Sequence, residues 1–217
     1  RIREQDRADH YVPLFPLLQK RLDRNLLGAG DFQDAACAGT ASTVCAFNTV
    51  HGTGHDELGM EGEWCDLVLT SPPYGDSGTT VAYAQFSWLT NVLLGLDSRP
   101  ASAVDRDLMG GRRSAFVPTG CAPLDLALQA VAHENEKRAC EVLHFYQEYL
   151  SSIRNVSAGL RPGRYSCYVV GNRTVKGVVL PTDQFTAWAL QHCGLVHEDT
   201  HIRKIPNKRM PLQNSPS

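Results

Sequence analysis

Short apolar runs alternate with longer amphipathic segments along the second half of the chain. The runs at 66–70 and 165–170 are typical of buried strands, and residues 196–205 form a third strand candidate. The segments at 125–158 and 182–192 carry apolar residues every three or four positions, which predicts helices. Strands and helices that alternate at this spacing predict an α/β fold, in which helices cover a mostly parallel sheet.

The first sixty residues carry weaker signals. Residues 14–27 have the pattern of a short amphipathic helix, which Pro16 interrupts and which is predicted to end near Gly28. Residues 31–60 are rich in Ala, Gly and Thr and show little periodicity. We therefore treat 1–60 as a poorly readable N-terminal segment.

The remaining chain, residues 61–217, is predicted to form one domain. Within it, residues 82–96 have a helical pattern, and residues 97–124 are predicted to be an irregular insertion because Pro and Gly recur there. The long helix before the second strand is predicted to be closed by Leu160 to Gly163.

Charge is unevenly distributed along the chain. The net charge of the 217 residues is −2, but residues 151–217 hold 9 Lys and Arg against 3 Asp and Glu, a net +6, while residues 1–150 hold 12 against 20, a net −8. A basic last third is suited to a polyanion, although a solvated basic face explains the charge equally well.

Composition narrows the class of protein. Hydrophobic residues make up 42% of the chain and charged residues 20%, as in soluble domains. No window approaches the roughly 18 apolar residues of a membrane span, and no secretory signal is apparent, so we expect a cytoplasmic protein. The seven cysteines are irregularly spaced and form no Cys-x-x-Cys pair, which argues against a metal site and against a disulfide framework.

The segment Ser71-Pro72-Pro73-Tyr74 directly follows the first predicted strand, at the edge where open α/β sheets bind ligands. The two prolines form a stiff turn whose carbonyl groups accept hydrogen bonds without a competing N–H donor. Ser71 adds a hydroxyl group, and Tyr74 adds a flat aromatic face with a polar tip. Together they predict a slot for a planar heterocycle that bears an exocyclic NH2 group.

Such a slot suits methylation of the amino group of a base. Two acceptors on the amine hydrogens favour a pyramidal nitrogen and return its lone pair from the ring, and the carbonyl dipoles and the aromatic face stabilise the emerging positive charge. A base within a duplex must be flipped out to reach the slot, where it would stack on Tyr74. A plain Pro-Pro turn with Tyr74 packed in the core is the alternative interpretation.

The segment Asp66-Leu-Val-Leu-Thr-Ser71-Pro72-Pro73-Tyr74-Gly-Asp-Ser77 resembles the catalytic motif of the amino-group DNA methyltransferases, and its Ser-Pro-Pro-Tyr form is typical of the cytosine-N4-specific subset. Four further segments are similar to that subset, at 79–83, 85–87, 169–177 and 205–211. The resemblance covers about residues 62–217. It implies a Rossmann-like sheet with helices on both faces, methyl transfer from S-adenosylmethionine, and double-stranded DNA as the substrate, as in restriction–modification or epigenetic systems.

The resemblance and the predicted sheet edge together suggest functional residues. The motif Ser71, Pro72, Pro73 and Tyr74 is expected to be catalytic. Thr70, His55 and Asp56 are candidates for cofactor binding. The candidates for contacts with DNA are Asn172, Arg173, Lys204, Lys208 and Arg209.

The glycine-rich turn with which the family binds its cofactor is missing from this sequence. Gly28-Ala29-Gly30 is the nearest match, but it follows a helical pattern instead of a strand. We therefore expect an incomplete methyltransferase, with a second chain or a missing segment as the source of that turn. Adenine-N6 methylation, methylation of a protein amide, and a non-catalytic DNA-binding module or half of a split enzyme stay open as alternatives.

Overall fold

The computed structural model describes residues 13–36, 39–45, 47–53, 59, 62–75, 92, 93, 95 and 117–203. The elements are α1 (Leu14–Ala35), β1 (Cys65–Thr70), α2 (Ala122–Ala158), β2 (Leu160–Tyr168), β3 (Arg173–Val175), β4 (Val178–Leu180) and α3 (Thr182–His192). The chain divides into two units, 1–44 and 45–217. The domain boundary near residue 60 stays a prediction. In the part of the chain that is described, the helices lack an apolar stretch of the length that a bilayer crossing requires.

In the first unit, α1 is longer than the sequence pattern predicts. It continues through Gly28 and Gly30 to Ala35, and none of its residues is buried. The prediction that the helix ends near Gly28 is therefore wrong. A glycine inside a helix costs only about 1 kcal/mol, and the residues around these two glycines favour helix. Pro16 lies in the first turn, where backbone N–H groups have no partner within the helix, so it does not interrupt α1.

In the second unit, β1 and β2 form a parallel pair, as predicted. Leu67, Val68, Leu69 and Thr70 of β1 pair with residues 165–168 of β2 in register. The pair confirms an α/β architecture at the level of helices combined with a small parallel sheet, whereas the larger Rossmann-like sheet stays a prediction.

The start of β2 contains a bulge. Cys65 pairs with Leu160 and Leu67 with Tyr165, so residue 66 on β1 faces residues 161–164 on β2. The prediction that Leu160 to Gly163 closes the preceding helix is wrong, because that helix ends at Ala158 and the segment belongs to the strand.

The bulge brings two arginines to one carboxylate. Asp66 accepts from Arg161 Nη1 at 2.8 Å and from Arg164 Nε at 3.0 Å. All three side chains are about half exposed, so each ion pair contributes at most about 1 kcal/mol.

The hydrophobic core lies between α2, α3 and the hairpin β3–β4. The predicted stripe on α2 is confirmed for Val142, Tyr146, Tyr149 and Ile153, which are all buried. Phe185 of α3 contacts both tyrosine rings, with centroids 4.8 Å and 6.0 Å away. The hydroxyl groups of the tyrosines are satisfied inside the core, by Thr182 at 2.8 Å and by Thr186 at 3.1 Å.

The hairpin β3–β4 takes the place of a simple loop between β2 and α3. Its two-residue turn, Lys176-Gly177, has φ of 49° and 77°, so both residues adopt the left-handed conformation that matches the twist of a hairpin. This hairpin is not among the elements predicted from the sequence. The segment 175–178, Val-Lys-Gly-Val, places apolar residues on both sides of a glycine turn, and this pattern indicates a hairpin.

The third strand predicted at 196–205 is wrong for residues 196–203, which form no strand, while 204 and 205 lie outside the described residues. Local side-chain hydrogen bonds explain the difference. The Thr200 N–H donates to Asp199 Oδ1 at 2.7 Å, and the Thr200 hydroxyl lies 2.9 Å from His197 Nε2. Such local bonds compete with the ladder of a sheet.

The two other segments predicted in the second unit are largely untested. Of the helix at 82–96, only residues 92, 93 and 95 are described. Most of the insertion at 97–124 also lies outside the described residues, and its last three residues, 122–124, belong to α2.

Candidate active site

The Ser-Pro-Pro-Tyr motif lies where the two parallel strands end. Thr70 is the last residue of β1, and its carbonyl accepts a hydrogen bond from the N–H of Val169 at 2.9 Å. This bond extends the ladder by one residue, so the segments that follow β1 and β2 leave the sheet side by side. The predicted position of the motif, at the carboxyl edge of a parallel pair, is confirmed.

The motif forms a corner at the protein surface. The hydroxyl groups of Ser71 and Tyr74 lie 2.9 Å apart and form a hydrogen bond, in which either group is able to donate. Pro72 is half-buried and Pro73 is exposed. Tyr74 keeps 38% of its surface exposed, so the alternative of a core tyrosine is wrong.

Gly171 provides the surface on which the Tyr74 ring rests. A Cβ atom built at Gly171 would lie 3.5 Å from Cδ2 and 3.6 Å from Cγ of the ring. The ring therefore packs in van der Waals contact against the backbone that follows β2, and a side chain larger than that of alanine would displace it. Sequence reasoning missed this residue, because its role depends on a contact between segments far apart in the sequence.

Asn172 and Arg173 follow directly after this contact. Asn172 Oδ1 accepts a hydrogen bond from the backbone N–H of Asp183 at 3.1 Å, which satisfies one donor in the first turn of α3. Arg173 is half-buried at the start of β3. The structure thus brings both residues to the edge that carries the motif, and their contacts with DNA stay a prediction.

The other predicted site residues are not all described. Thr70 is half-buried, and its carbonyl group is used in the sheet, so a role in cofactor binding stays a prediction for its side chain. His55 and Asp56 lie outside the described residues. The same is true of the predicted DNA contacts Lys204, Lys208 and Arg209.

Burial favours the neutral form of the tyrosine at the end of β2. It raises the pKa of Tyr168 to about 12, and the neighbouring Cys193 thiol adds to the effect. Burial also raises the pKa of Cys193. Both groups are therefore neutral near pH 7, and neither supplies a base or a thiolate to the corner.

A cavity of about 1060 Å³ lies away from this corner. It is lined by β2, by the end of α3 and by residues 194–199, and none of residues 70–74 contributes to it. Tyr74 is exposed at the Ser-Pro-Pro-Tyr corner, and the enclosure of a base there stays a prediction.

The described residues include the corner that is predicted to bind the base, which is the methyl acceptor. They do not include a turn of the kind expected to bind S-adenosylmethionine, which is the methyl donor. Gly28 and Gly30 lie inside α1 and not in a turn after a strand. Among the described residues, the segment that follows β1 (71–75) contains one glycine, Gly75. The segment that follows β2 (169–172) also contains one glycine, Gly171. A glycine-rich cofactor turn is therefore not formed by the described residues.

Comparison with known proteins supports the methyltransferase resemblance. The chain is similar to the Type II methyltransferase M.MvaI of Kocuria varians, with 37% identity over 213 residues that cover 91% of this chain. The chain spans about half the length of that curated relative, namely 46%. No protein-family model matches the sequence, and no solved structure matches the chain.

The relative thus has the same broad class that the motif predicts, a methyltransferase. The name of that relative does not state which base it methylates, so the identity of the methylated atom stays a prediction.

Proposed function

We propose that the chain carries the base-binding part of a site-specific DNA methyltransferase that modifies the exocyclic N4 amine of a flipped cytosine. The observation that carries the proposal is the Ser71-to-Tyr74 corner, which lies at the carboxyl edge of a parallel strand pair and exposes its tyrosine. The likeness to a Type II methyltransferase over 91% of the chain supports the same reaction class.

The corner contributes to the reaction by binding and orienting the amine. Carbonyl oxygens at Ser71 and Pro72 have no competing N–H donor from the two prolines that follow, so they are suited to accept the two amine hydrogens. Acceptors on both hydrogens concentrate the lone pair on nitrogen, which is otherwise delocalised into the ring. S-adenosylmethionine, when bound, supplies the methyl group.

Tyr74 holds the plane of the extruded base. Its ring is fixed from two sides, by the Gly171 backbone beneath it and by the Ser71 hydroxyl at its tip. A ring that is already ordered loses little conformational entropy when a base stacks on it. The aromatic face also stabilises the positive charge that develops on the amine during methyl transfer.

Double-stranded DNA is the proposed partner, in a restriction–modification setting and in the cytoplasm. The net charge of +6 on residues 151–217 suits contact with phosphates, and Asn172 and Arg173 lie next to the corner. The fold proposed for the complete catalytic unit is a Rossmann-like sheet, of which β1 and β2 form two adjacent strands.

Nucleoside analysis tests the choice of base. Unmethylated genomic DNA is incubated with the protein and with S-adenosylmethionine that carries a labelled methyl group, and the DNA is then digested to nucleosides. We expect label in 4-methylcytosine, and a Tyr74→Ala variant is expected to lose it. Label in 6-methyladenine alone would contradict the proposal and favour the adenine-N6 alternative.

A non-catalytic DNA-binding module is the second candidate function. It is favoured by one observation, the lack of a glycine-rich turn among the described residues. Titration of the protein with S-adenosylmethionine distinguishes the two candidates. DNA binding without any cofactor binding and without methyl transfer would favour the module.

A further inference from the structure

The hairpin β3–β4 starts next to the contact that holds the Tyr74 ring. The backbone at Gly171 supports this ring, and Asn172 joins the same turn to α3 by accepting from the Asp183 N–H. The first strand of the hairpin begins at the following residue, Arg173. The hairpin and the Ser-Pro-Pro-Tyr corner are therefore connected through one short turn.

One side of the hairpin is anchored in the core. Val175 and Leu180 are buried and belong to the same hydrophobic cluster as the core residues of α2 and α3. Because the side chains of a strand alternate between two faces, the cross-strand pair of Thr174 and Val179 lies on the other side, and both residues are exposed. The hairpin is thus a ribbon with one face held by the core and one face at the surface.

The tip of the hairpin carries a lysine in an unfavourable conformation. Lys176 has φ of 49°, and within the described part of the chain it is the one residue other than glycine with positive φ. This conformation costs a residue with a Cβ atom about 1–2 kcal/mol, and for this reason two-residue hairpin turns favour Asn, Asp or Gly. The formation of the turn therefore does not explain a lysine at this position, whereas a role for its charge does.

The surroundings of Lys176 leave that charge available. Residues 149–182 hold four Arg and one Lys but no Asp or Glu. Arg161 and Arg164 share Asp66, whereas no ion pair between described residues includes Lys176. A lysine of this kind attracts an external anion and binds phosphate as a point charge.

We propose that the β3–β4 hairpin holds the phosphate backbone of the DNA strand that carries the target base, with Lys176 on a phosphate group. Thr174, on the exposed face, adds a hydroxyl donor for the same backbone. Lys176 lies five residues after Gly171, so its backbone is at most about 17 Å from the support of the Tyr74 ring. At a rise of about 3.4 Å per nucleotide, this distance corresponds to about five nucleotides or fewer from the base. The inference rests on the proposed function, because the base at Tyr74 places the strand.

The two contacts of the strand differ in their physical character. Stacking on Tyr74 involves no ion, whereas a contact between Lys176 and a phosphate releases a counterion and makes the affinity depend on salt. For a single strand, each such contact contributes about 0.7 to the slope of log K against log salt concentration. The slope therefore reports the phosphate contact separately from the stacking.

A salt titration of DNA binding tests the proposal. Fluorescence anisotropy measures the affinity for a labelled single-stranded cytosine-rich oligonucleotide at salt concentrations from about 50 to about 200 mM. We expect Lys176→Gln to reduce the magnitude of the slope by about 0.7, so that its affinity falls about 2.6-fold less than that of the wild type over this range. Lys137→Gln removes the same charge from an exposed position on α2 and is expected to leave the slope unchanged.

The variant Lys176→Asn separates the charge from the shape of the turn. Asn adopts positive φ more readily than Lys, so the variant is expected to unfold at the same urea concentration as the wild type or at a higher one. It is nevertheless expected to lose the same part of the salt slope as Lys176→Gln. A purely structural role for residue 176 would predict instead that DNA binding follows stability.

Equal slopes in the wild type and in Lys176→Gln would overturn the proposal, as would an equal change in Lys137→Gln. Tyr74→Ala distinguishes this failure from a failure of the proposed function, because it is expected to lose affinity without a change in slope. A loss of affinity in Tyr74→Ala with an unchanged slope in Lys176→Gln would remove only the hairpin contact. Wild-type affinity in Tyr74→Ala with a smaller slope in Lys176→Gln would support the phosphate contact and contradict the base site.

Discussion

Replacement of Tyr74 with Ala removes the stacking surface of the proposed base site while leaving the rest of the corner in place. The ring contacts the backbone at Gly171 and bonds to Ser71 through its hydroxyl group. Neither contact belongs to the buried core, and Tyr74 is 38% exposed. The variant is therefore expected to fold, with a melting temperature within a few degrees of that of the wild type.

The size of the effect follows from the energy of stacking. Stacking of a base on an aromatic side chain contributes about 1–3 kcal/mol, which corresponds to a factor of about 5 to 150 in the dissociation constant. Tyr74→Phe keeps the ring and loses only the exposed hydroxyl pair with Ser71. We expect this control to bind single-stranded DNA within about fivefold of the wild type, because an exposed hydrogen bond contributes about 1 kcal/mol or less.

Fluorescence anisotropy with a labelled single-stranded cytosine-rich oligonucleotide measures these affinities. The salt concentration is fixed, since phosphate contacts make the affinity depend strongly on salt. Wild-type affinity in Tyr74→Ala would refute the reasoning. So would an equal loss in both variants, because the hydroxyl group and not the ring would then carry the binding.

Further predictions concern the scaffold that holds the corner. Phe185→Ala is expected to lower the free energy of unfolding, measured in urea, by about 3–5 kcal/mol, because this side chain is fully buried. Val179→Ala on the exposed hairpin is the control and is expected to change it by less than about 1 kcal/mol. Similar losses in both variants would contradict the described core. Gly159→Ala is expected to cost about 1–3 kcal/mol in the same assay, since its Cβ would lie 2.9 Å from Trp64 Nε1, and an unchanged urea midpoint would show that this contact is absent. Stability is expected to fall as the pH rises from 10 towards 12, because the pKa of Tyr168, about 12 in the folded protein, exceeds its ordinary value of 10. The loss from this residue is about 2.3 kcal/mol at pH 12 and tends to about 2.7 kcal/mol at higher pH. Tyr168→Phe is expected to make this decline shallower without abolishing it, because burial also raises the pKa of Tyr149, and an equally steep decline in that variant would exclude Tyr168 as a cause.

The elements that sequence reasoning located well are those with strong local patterns. The helix at 182–192 has the predicted bounds, and α2 begins only three residues before the predicted Asp125. Its start is fixed by Asp125 itself, whose carboxylate accepts from the Thr119 N–H at 2.7 Å and the Thr119 hydroxyl at 2.8 Å. Here the apolar stripe and the local capping contacts lead to the same structure.

The elements that sequence reasoning misplaced depend on small energies or on distant partners. Two glycines did not end α1, because their cost is small compared with the preference of a long helix. The bulge in β2 depends on pairing with β1 across 95 residues of sequence, which no local pattern shows. Residues 196–203 have an apolar residue at each end, Val196 and Ile202, but local hydrogen bonds between polar side chains replace the ladder.

The candidate site was partly predictable for the same reasons. The Ser71-to-Tyr74 motif is contiguous in the sequence and follows a strand, so its position at the sheet edge could be predicted. The contact of Tyr74 with Gly171 and the capping of α3 by Asn172 arise only once β1 and β2 are paired. The position of Leu69 beside Cys167 is a further consequence of pairing, because it requires the register of β1 and β2.

Photocrosslinking tests most directly whether the corner receives a cytosine. Random-sequence DNA that contains 5-iododeoxycytidine is bound to the protein and irradiated, and the modified peptide is identified by mass spectrometry. The proposed stacking predicts a crosslink at Tyr74 that is lost in Tyr74→Ala. Efficient crosslinks at other aromatic residues, such as Trp188, with none at Tyr74 would contradict the proposed base site.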